Sequence, residues 1–246
     1  MRPLTAQALL TAWERGLSQP PSQRALTLLA TAYPERSTEE LAQLSIGQRD
    51  ALLMDVRKTA FGSTLVSVAA CPTCGERLEL ALDIADIRIE SDCVPAAAFS
   101  LDPGGYRVEF RLPDSRDLAL IENHTELADA RNLLLKRCLL SVKHDDQDQT
   151  VAELPADLVS KIESAMAQAD PQANVQLALA CPACQHRWAA AFDIASFLWG
   201  EIHAWAGHIL REVHALAKTY GWSEDQILAL SPARRKMYLD LDRVAG

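Results

Sequence analysis

Nowhere in the sequence do about 20 apolar residues run together, the length a helix needs to cross a bilayer, so a membrane-spanning role is not expected. The opening stretch MRPLTAQALLTAWERGL places one arginine before apolar residues, as a leader would. Thr5, Gln7, Trp13, Glu14 and Arg15 interrupt it, however, and no small-residue cleavage site follows. It reads as a helix of the mature protein, and the chain as cytosolic when made. Catalytic signatures are missing too: there is no HExxH, no GxSxG, no Walker loop and no GxGxxG after a strand pattern. No active site and no small-molecule substrate are expected. Basic charge is scarce, with 24 Lys and Arg against 33 Asp and Glu and a net charge of -9. The nearest basic run, Arg234-Arg235-Lys236, has Glu224, Asp225, Asp240 and Asp242 close by and is expected as a mixed, solvated helix face. Direct DNA or RNA binding is therefore disfavoured. What remains is a 246-residue chain, 49% hydrophobic with a mean hydropathy of -0.04, which suits one large globular domain or two modest ones.

Cysteine is what the sequence does have. Four of its six cysteines form two tight pairs, Cys71/Cys74 and Cys181/Cys184, while Cys93 and Cys138 stand alone. Paired CxxC spacing without an export signal points to metal before disulfides. Cys138 lies in the apolar run Leu133–Leu140 and reads as a buried thiol; Cys93 carries no special role. The two pairs belong to an internal repeat. Ala70-Cys71-Pro72-Thr73-Cys74 aligns with Ala180-Cys181-Pro182-Ala183-Cys184 at an offset of 110, and the match continues through Arg77/Arg187 to Asp83-Ile84-Ala85 and Asp193-Ile194-Ala195. Each copy follows an extended apolar stretch, Leu65–Val68 or Val175–Leu179, and precedes a short alternating one. The repeated unit is strand, knuckle, strand, one half of a zinc ribbon. A CxxC turn can direct both sulfurs to one side, and two such turns supply the four thiolates of a closed tetrahedral site. With no open coordination position, one shared Zn2+ held by Cys71, Cys74, Cys181 and Cys184 would be structural, and its binding would contribute to folding.

Three rivals stand beside that reading. A redox CxxC needs a thioredoxin-like strand and helix around it, and here the motif occurs twice. Rubredoxin-like iron uses similar knuckles and suits Cys71–Gly75, but Gln185 stands where that pattern has glycine in the second copy. A separate metal on each knuckle would recruit His186, whose counterpart is Glu76, and would still lack a fourth ligand.

Capping patterns divide the rest into helices. Thr5 starts one that ends near Gly16, and Pro20-Pro21 turns into another over Gln23–Ala32, stopped by Pro34. Ser37 with Glu40 and Ser45 with Gln48 make capping boxes, and Leu52, Leu53 and Val56 give the second of these helices an apolar face. Between the knuckles, Ile87-Arg88-Ile89 and Tyr106–Phe110 alternate as strands, with a turn at Pro103-Gly104-Gly105. Helices are expected over Ser115–Ile121, Glu126–Leu140 and Ala156–Gln168, and the stretch from His144 to Gln149 as an exposed loop, its carboxylates having no metal-site periodicity. After the second knuckle, Leu198, Ile202, Trp205, Ile209, Val213, Leu216 and Tyr220 form one apolar seam of a long helix ended by Gly221. Trp199 and Phe197 fall off the seam and offer a second apolar face for a partner. Ser223 with Gln226 and Ser231-Pro232 open the final helices. His203, His208 and His214 do not form a ligand set: the first two lie about 140° apart around the helix, and the first and last roughly 16 Å apart along it.

Leu44-Ser45-Ile46-Gly47-Gln48-Arg49-Asp50-Ala51-Leu52-Leu53, then Arg57, Phe61-Gly62 and the CPxCG knuckle, resemble baseplate or baseplate-hub proteins of contractile-tail bacteriophages and phage-like injection systems. The ending is similar as well, from Phe197-Leu198-Trp199 through Glu212–Ala217 and Tyr220-Gly221-Trp222-Ser223 to Arg234-Arg235. The second knuckle goes beyond the usual pattern of that family, and the resemblance leaves out the segment between the knuckles. It implies a non-enzymatic structural or assembly component of a baseplate, with other baseplate, hub or tail proteins as partners and incorporation in a tail or injection particle. The fold expected is α+β and mainly helical: an N-terminal helical region (1–62), a composite zinc ribbon (63–87 and 172–195), an inserted α/β region (88–171) and a C-terminal helical region (196–246). A zinc-ribbon protein associated with nucleic acid, on the thin support of Arg77 and Arg187, and a rubredoxin-like iron redox protein are the alternatives.

Overall fold

Local capping signals set most element boundaries. The computed structural model describes residues 1–89, 98–145 and 147–245, so Cys93 and Asp146 lie outside the described residues. Thr5 accepts the Ala8 amide and starts α1 (Ala6–Gly16). Pro21 opens α2 (Pro21–Ala32), two residues earlier than expected, because its fixed φ suits the first helical position. Reciprocal capping boxes at Ser37/Glu40 and Ser45/Gln48 start α3 (Thr38–Ala42) and α4 (Ile46–Phe61). The chain then forms the hairpin β1 (Thr64–Ala70) and β2 (Arg77–Asp83), paired antiparallel from Thr64↔Asp83 to Ala70↔Arg77. A matching hairpin, β7 (Gln176–Ala180) and β8 (Arg187–Ala191), follows the insertion. Asp83 and Asp193, the aspartates that close the two repeats, are both helix N-caps. They start the one-turn α5 (Ile84–Ile87) and the 27-residue α9 (Ile194–Tyr220).

The insertion is built on a four-stranded antiparallel sheet ordered β3 (Phe99–Leu101), β4 (Tyr106–Phe110), β5 (Leu139–His144), β6 (Gln147–Asp148). Helices α6 (Ser115–Ile121), α7 (Leu127–Cys138) and α8 (Ala156–Ala169) complete it. Val108, Phe110, Leu135, Val142, Leu158 and Ile162 give it a core of its own. Three expectations need correcting here. Ile87-Arg88-Ile89 is no strand, because the Asp83–Asp86 capping box coils the chain and buries Ile84 and Ile87, and Arg88 reaches back to the Ala51 carbonyl and Asp55. The expected helix over Glu126–Leu140 ends at Cys138, since Leu139–His144 gain more as a strand against β4, where Val142 is buried. The expected loop from His144 to Gln149 is a tight hairpin, in which Asp145 takes a left-handed φ of 50° that aspartate tolerates.

The N-terminal helices, the inner ends of both hairpins and the start of α9 share the largest core, around Leu28, Leu29, Leu41, Leu53, Leu65, Ile84, Ile194, Leu198 and Ile202. A helix of 27 residues extends about 40 Å, so α9 continues into a second core with Leu10, α10 (Glu224–Leu228) and α11 (Pro232–Ala245). Leu198, Ile202, Ile209, Val213 and Leu216 of the seam are buried, with Ala206 beside them. Phe197 and Trp199 do not form a spare apolar face. Trp199 packs where Gly16 has no side chain, under the Arg24 guanidinium at 4.8 Å, and Phe197 packs against Phe192 and Arg57. The Arg234–Lys236 run is also not a uniformly solvated face. Arg235 is 4% exposed, paired with Glu212 at 2.9 Å and donating to the Leu230 carbonyl.

Buried ion pairs tie these regions together. Arg57, 3% exposed, grips Glu201 of α9 through two hydrogen bonds of 2.9 and 2.7 Å and donates to the Gly62 carbonyl. In the insertion, the fully buried Asp117 accepts from Arg111 (2.6 and 2.8 Å) and Arg137 (2.6 Å), and beside it Asp114 binds Arg116, which reaches Glu39 of α3. Burial works to raise the Asp117 pKa, but the bonds from Arg111, Arg137 and the Asp114 amide outweigh it and hold the carboxyl at about 2. A carboxylate with a lower pKa folded than unfolded adds stability that is fully present above about 3.9, the unfolded value, and is lost as pH falls through the folded one. Unfolding midpoints in urea should therefore drop between about pH 4 and pH 2 for the native chain. Asp117→Asn should be less stable at pH 7 and show a flatter profile across that window.

Candidate metal centre

Each knuckle is shaped by two backbone hydrogen bonds at its own ends. The Cys71 amide donates to the Glu76 carbonyl (2.8 Å) and the Gly75 amide to the Cys71 carbonyl (2.9 Å). In the second copy the Cys181 amide donates to His186 and the Gln185 amide to Cys181, both at 2.9 Å. The residue after the second cysteine must be left-handed, and it is: Gly75 has a φ of 76° and Gln185 one of 61°. The absence of glycine at Gln185 therefore does not distinguish the two turns, because glutamine adopts the same conformation and its side-chain amide donates to the Pro182 carbonyl at 3.2 Å. Gln185 thus does not disfavour iron at the second turn.

The two turns meet. The sulfurs of Cys71, Cys74, Cys181 and Cys184 all lie within 4.8 Å of one another, with Cys71 and Cys184 at 3.7 Å and Cys74 and Cys181 at 3.5 Å. A disulfide requires about 2.05 Å, so these are not bonded sulfurs. Four sulfurs at about 2.3 Å from a central ion in a tetrahedron stand about 3.8 Å apart, which the two cross-hairpin distances approach. Cys71 and Cys181 are buried, whereas Cys74 and Cys184 face solvent. Thiols this close titrate as a set. Desolvation opposes ionisation of Cys71, but the Cys74 and Thr73 amides and the adjoining thiols draw it down to about 6. The Glu76 amide favours the Cys74 thiolate, yet the neighbouring Cys181 and Cys184 sulfurs push that thiol up to about 12. Cys184 is likewise raised, against the pull of the His186 amide, by burial and by its neighbours. Without a cation the four cannot all ionise, since each thiolate disfavours the next. The arrangement can hold one metal ion.

Among the described residues, these cysteines form the one group of His, Cys, Asp and Glu side chains close enough to share an ion. His186 instead stacks on Trp188, their rings 5.9 Å apart. On α9, His203 accepts from the Trp13 indole at 3.1 Å, His208 contacts Arg211, and all three histidines are exposed. Cys138 is 1% exposed, and burial together with the Asp117 carboxylate pushes its thiol up to about 12. Arg77 and Arg187 occupy equivalent exposed positions at the knuckle ends of the hairpins, opposite Ala70 and Ala180. The buried Arg57–Glu201 pair, which anchors the strand leading to the first knuckle, could not be paired from sequence; an arginine repeating on the apolar side of α4 was its one local sign.

The left-handed turn residue gives a direct test of knuckle strain. A Cβ on Gly75 would meet no atom within 4 Å, so Gly75→Ala introduces only the conformational penalty of a non-glycine residue, about 1–2 kcal/mol. Chemical denaturation should show that loss. Gln185→Gly, relieving the same penalty, should shift stability the other way by less, because glycine also gains freedom in the unfolded chain.

The family model described as T4 bacteriophage base plate protein matches residues 7–199. No curated protein and no solved structure matches the chain. The matched range runs from α1 through both knuckles to the start of α9. It takes in the insertion, which the sequence resemblance had left out, and stops short of the Tyr220–Arg235 segment. By a match that spans most of its length, the chain belongs to the T4 bacteriophage base plate protein family.

Proposed function

We propose that the protein is a non-enzymatic structural or assembly component of the baseplate of a contractile phage tail or phage-like injection system, made rigid by one structural Zn2+ bound by Cys71, Cys74, Cys181 and Cys184. The observation that carries the metal reading is the convergence of four sulfurs from two copies of one repeat within 4.8 Å. All-sulfur, four-coordinate donor sets without an open position are typical of structural zinc. On this reading the hairpins of 63–87 and 172–195 are the two halves of a composite zinc ribbon. The helical segments 1–62 and 196–246 and the insertion 88–171 are built around it, with neighbouring baseplate, hub or tail proteins as partners. Membership of the baseplate family supports the structural role and a place in the particle.

Iron is the second reading, favoured by the shared left-handed geometry at Gly75 and Gln185, which keeps both turns compatible with a rubredoxin-like centre. Elemental analysis with native mass spectrometry of the purified chain separates the two. One zinc per chain and no visible absorbance are expected; a coloured, iron-loaded protein would replace zinc by iron. Cys74→Ser and Cys184→Ser should lose the metal and lower the unfolding temperature to the same extent, as should a strong chelator. Full occupancy in either variant would sink the shared site. For the baseplate role, the tagged chain expressed with the tail genes of its source should co-sediment with baseplates or their assembly intermediates, and sedimentation only as free protein would count against it.

A further inference from the structure

The insertion carries a groove that neither the metal centre nor the helical cores use. It has a volume of about 590 Å³ and is lined by Leu133 and Lys136 of α7, Leu140 and Ser141 of β5, and Val151 and Ala152 of the turn that follows β6. That volume lies in the range of ordinary ligand sites, about 300–1,000 Å³. Three independent features describe what would fit it. Strand β5 is open along half of one side: β4 pairs it on the other, but β6 reaches only Lys143 and His144, and the Gln149 amide adds one bond to Val142. Leu139–Ser141 have no strand beside them on that side among the described residues, although the Leu139 amide is held by the Leu135 carbonyl. The register shift between Glu109 and Phe110 makes Leu140 an extra residue without a β4 partner, and its side chain is left 52% exposed at the groove. The charge is also distinctive. Lys136 is the one charged side chain of the lining, on a chain of net charge -9.

We propose that this groove docks an extended peptide segment of a partner protein, with apolar side chains flanking a carboxylate on one face, as an added strand on the open edge of β5. An extended segment supplies the backbone donors and acceptors that an open edge offers to pair with. A helix cannot, because its own backbone groups are already bonded internally. Apolar side chains at alternate positions cover Leu133, Leu140 and Val151, and the carboxylate between them on the same face meets Lys136. Three residues of edge extend about 10 Å, so the segment engages through only a few residues. The proposal does not depend on which metal the cysteines hold.

The test uses the full chain as purified and the probe acetyl-Val-Thr-Asp-Thr-Val-amide, which sets valine, aspartate and valine on one face, followed by amide chemical shifts. Saturable shifts confined to residues 132–152 are expected. Binding should disappear when the central amides of the probe are N-methylated and should weaken about fivefold when its aspartate becomes lysine or in Lys136→Glu. Leu140→Asp should abolish it. Both replaced residues are exposed, and unchanged unfolding midpoints would show that the variants fold. Absence of saturable shifts, or equal binding of the N-methylated probe, overturns the added-strand proposal, the latter marking a site for small apolar molecules. A concentration-dependent dimer lost in Leu140→Asp would also overturn it, by assigning the face to a second copy of the chain.

Discussion

Two turns 110 residues apart bring four sulfurs to one point, and the architecture follows from that convergence. The knuckles bring the turn ends of both hairpins together, and at its other end each hairpin leads to an aspartate that caps the next helix. One of those helices is a single turn that folds back on α4; the other is α9, which spans two cores. One ion held by all four sulfurs would close a loop of this length and remove on the order of 4–5 kcal/mol of unfolded-chain entropy in a simple polymer treatment. A tie of that size is comparable to the whole net stability of many domains. The repeated hairpins, each only two strands, would be marginal alone.

The protein cores explain why such a tie matters. Hydrophobic burial is divided among three clusters, and the insertion has its own. The first two meet through Trp13 and Trp205, which pack against both, and polar contacts add to these links. Arg57 joins α4 to Glu201 of α9, Asp170 caps α4 by accepting the Gly47 amide, and Gln172 holds the Ile87 carbonyl and the Ile89 amide. The insertion meets the helices through the Ser45–Asp114 bridge and the Arg116–Glu39 pair. The buried charges among them, Arg57 and Asp114, are costly to leave unpaired, so they fix relative orientation more than they add net stability. For a baseplate component, a fixed orientation between modules is what an assembly partner would read.

The four clustered cysteines were legible because a repeat of Ala-Cys-Pro-x-Cys is visible in one dimension, and the caps because their residues lie three apart. Gln185 shows the limit of that approach: read as a departure from the glycine pattern, it takes the same backbone conformation as Gly75. Strands β3 and β5 were missed for another reason. Leu139–His144 continue the apolar run of α7, and only pairing with β4, some thirty residues earlier, decides that they extend. Trp199 and Phe197 looked free because the residues that cover them, Gly16, Arg24 and Arg57, are distant in the chain.

The sequence by itself determined most helix starts, the seam of α9, the four paired cysteines and the two-copy repeat. Each depends on neighbours within a turn or two, or on identity between segments. Tertiary structure alone decided that the two knuckles face one another, that the arginines of α4 and α11 are buried with carboxylates of α9, and that one edge of the inserted sheet stays open. Those outcomes depend on which distant groups meet. Pairing and desolvation energies arise only from that meeting, and no local pattern encodes it.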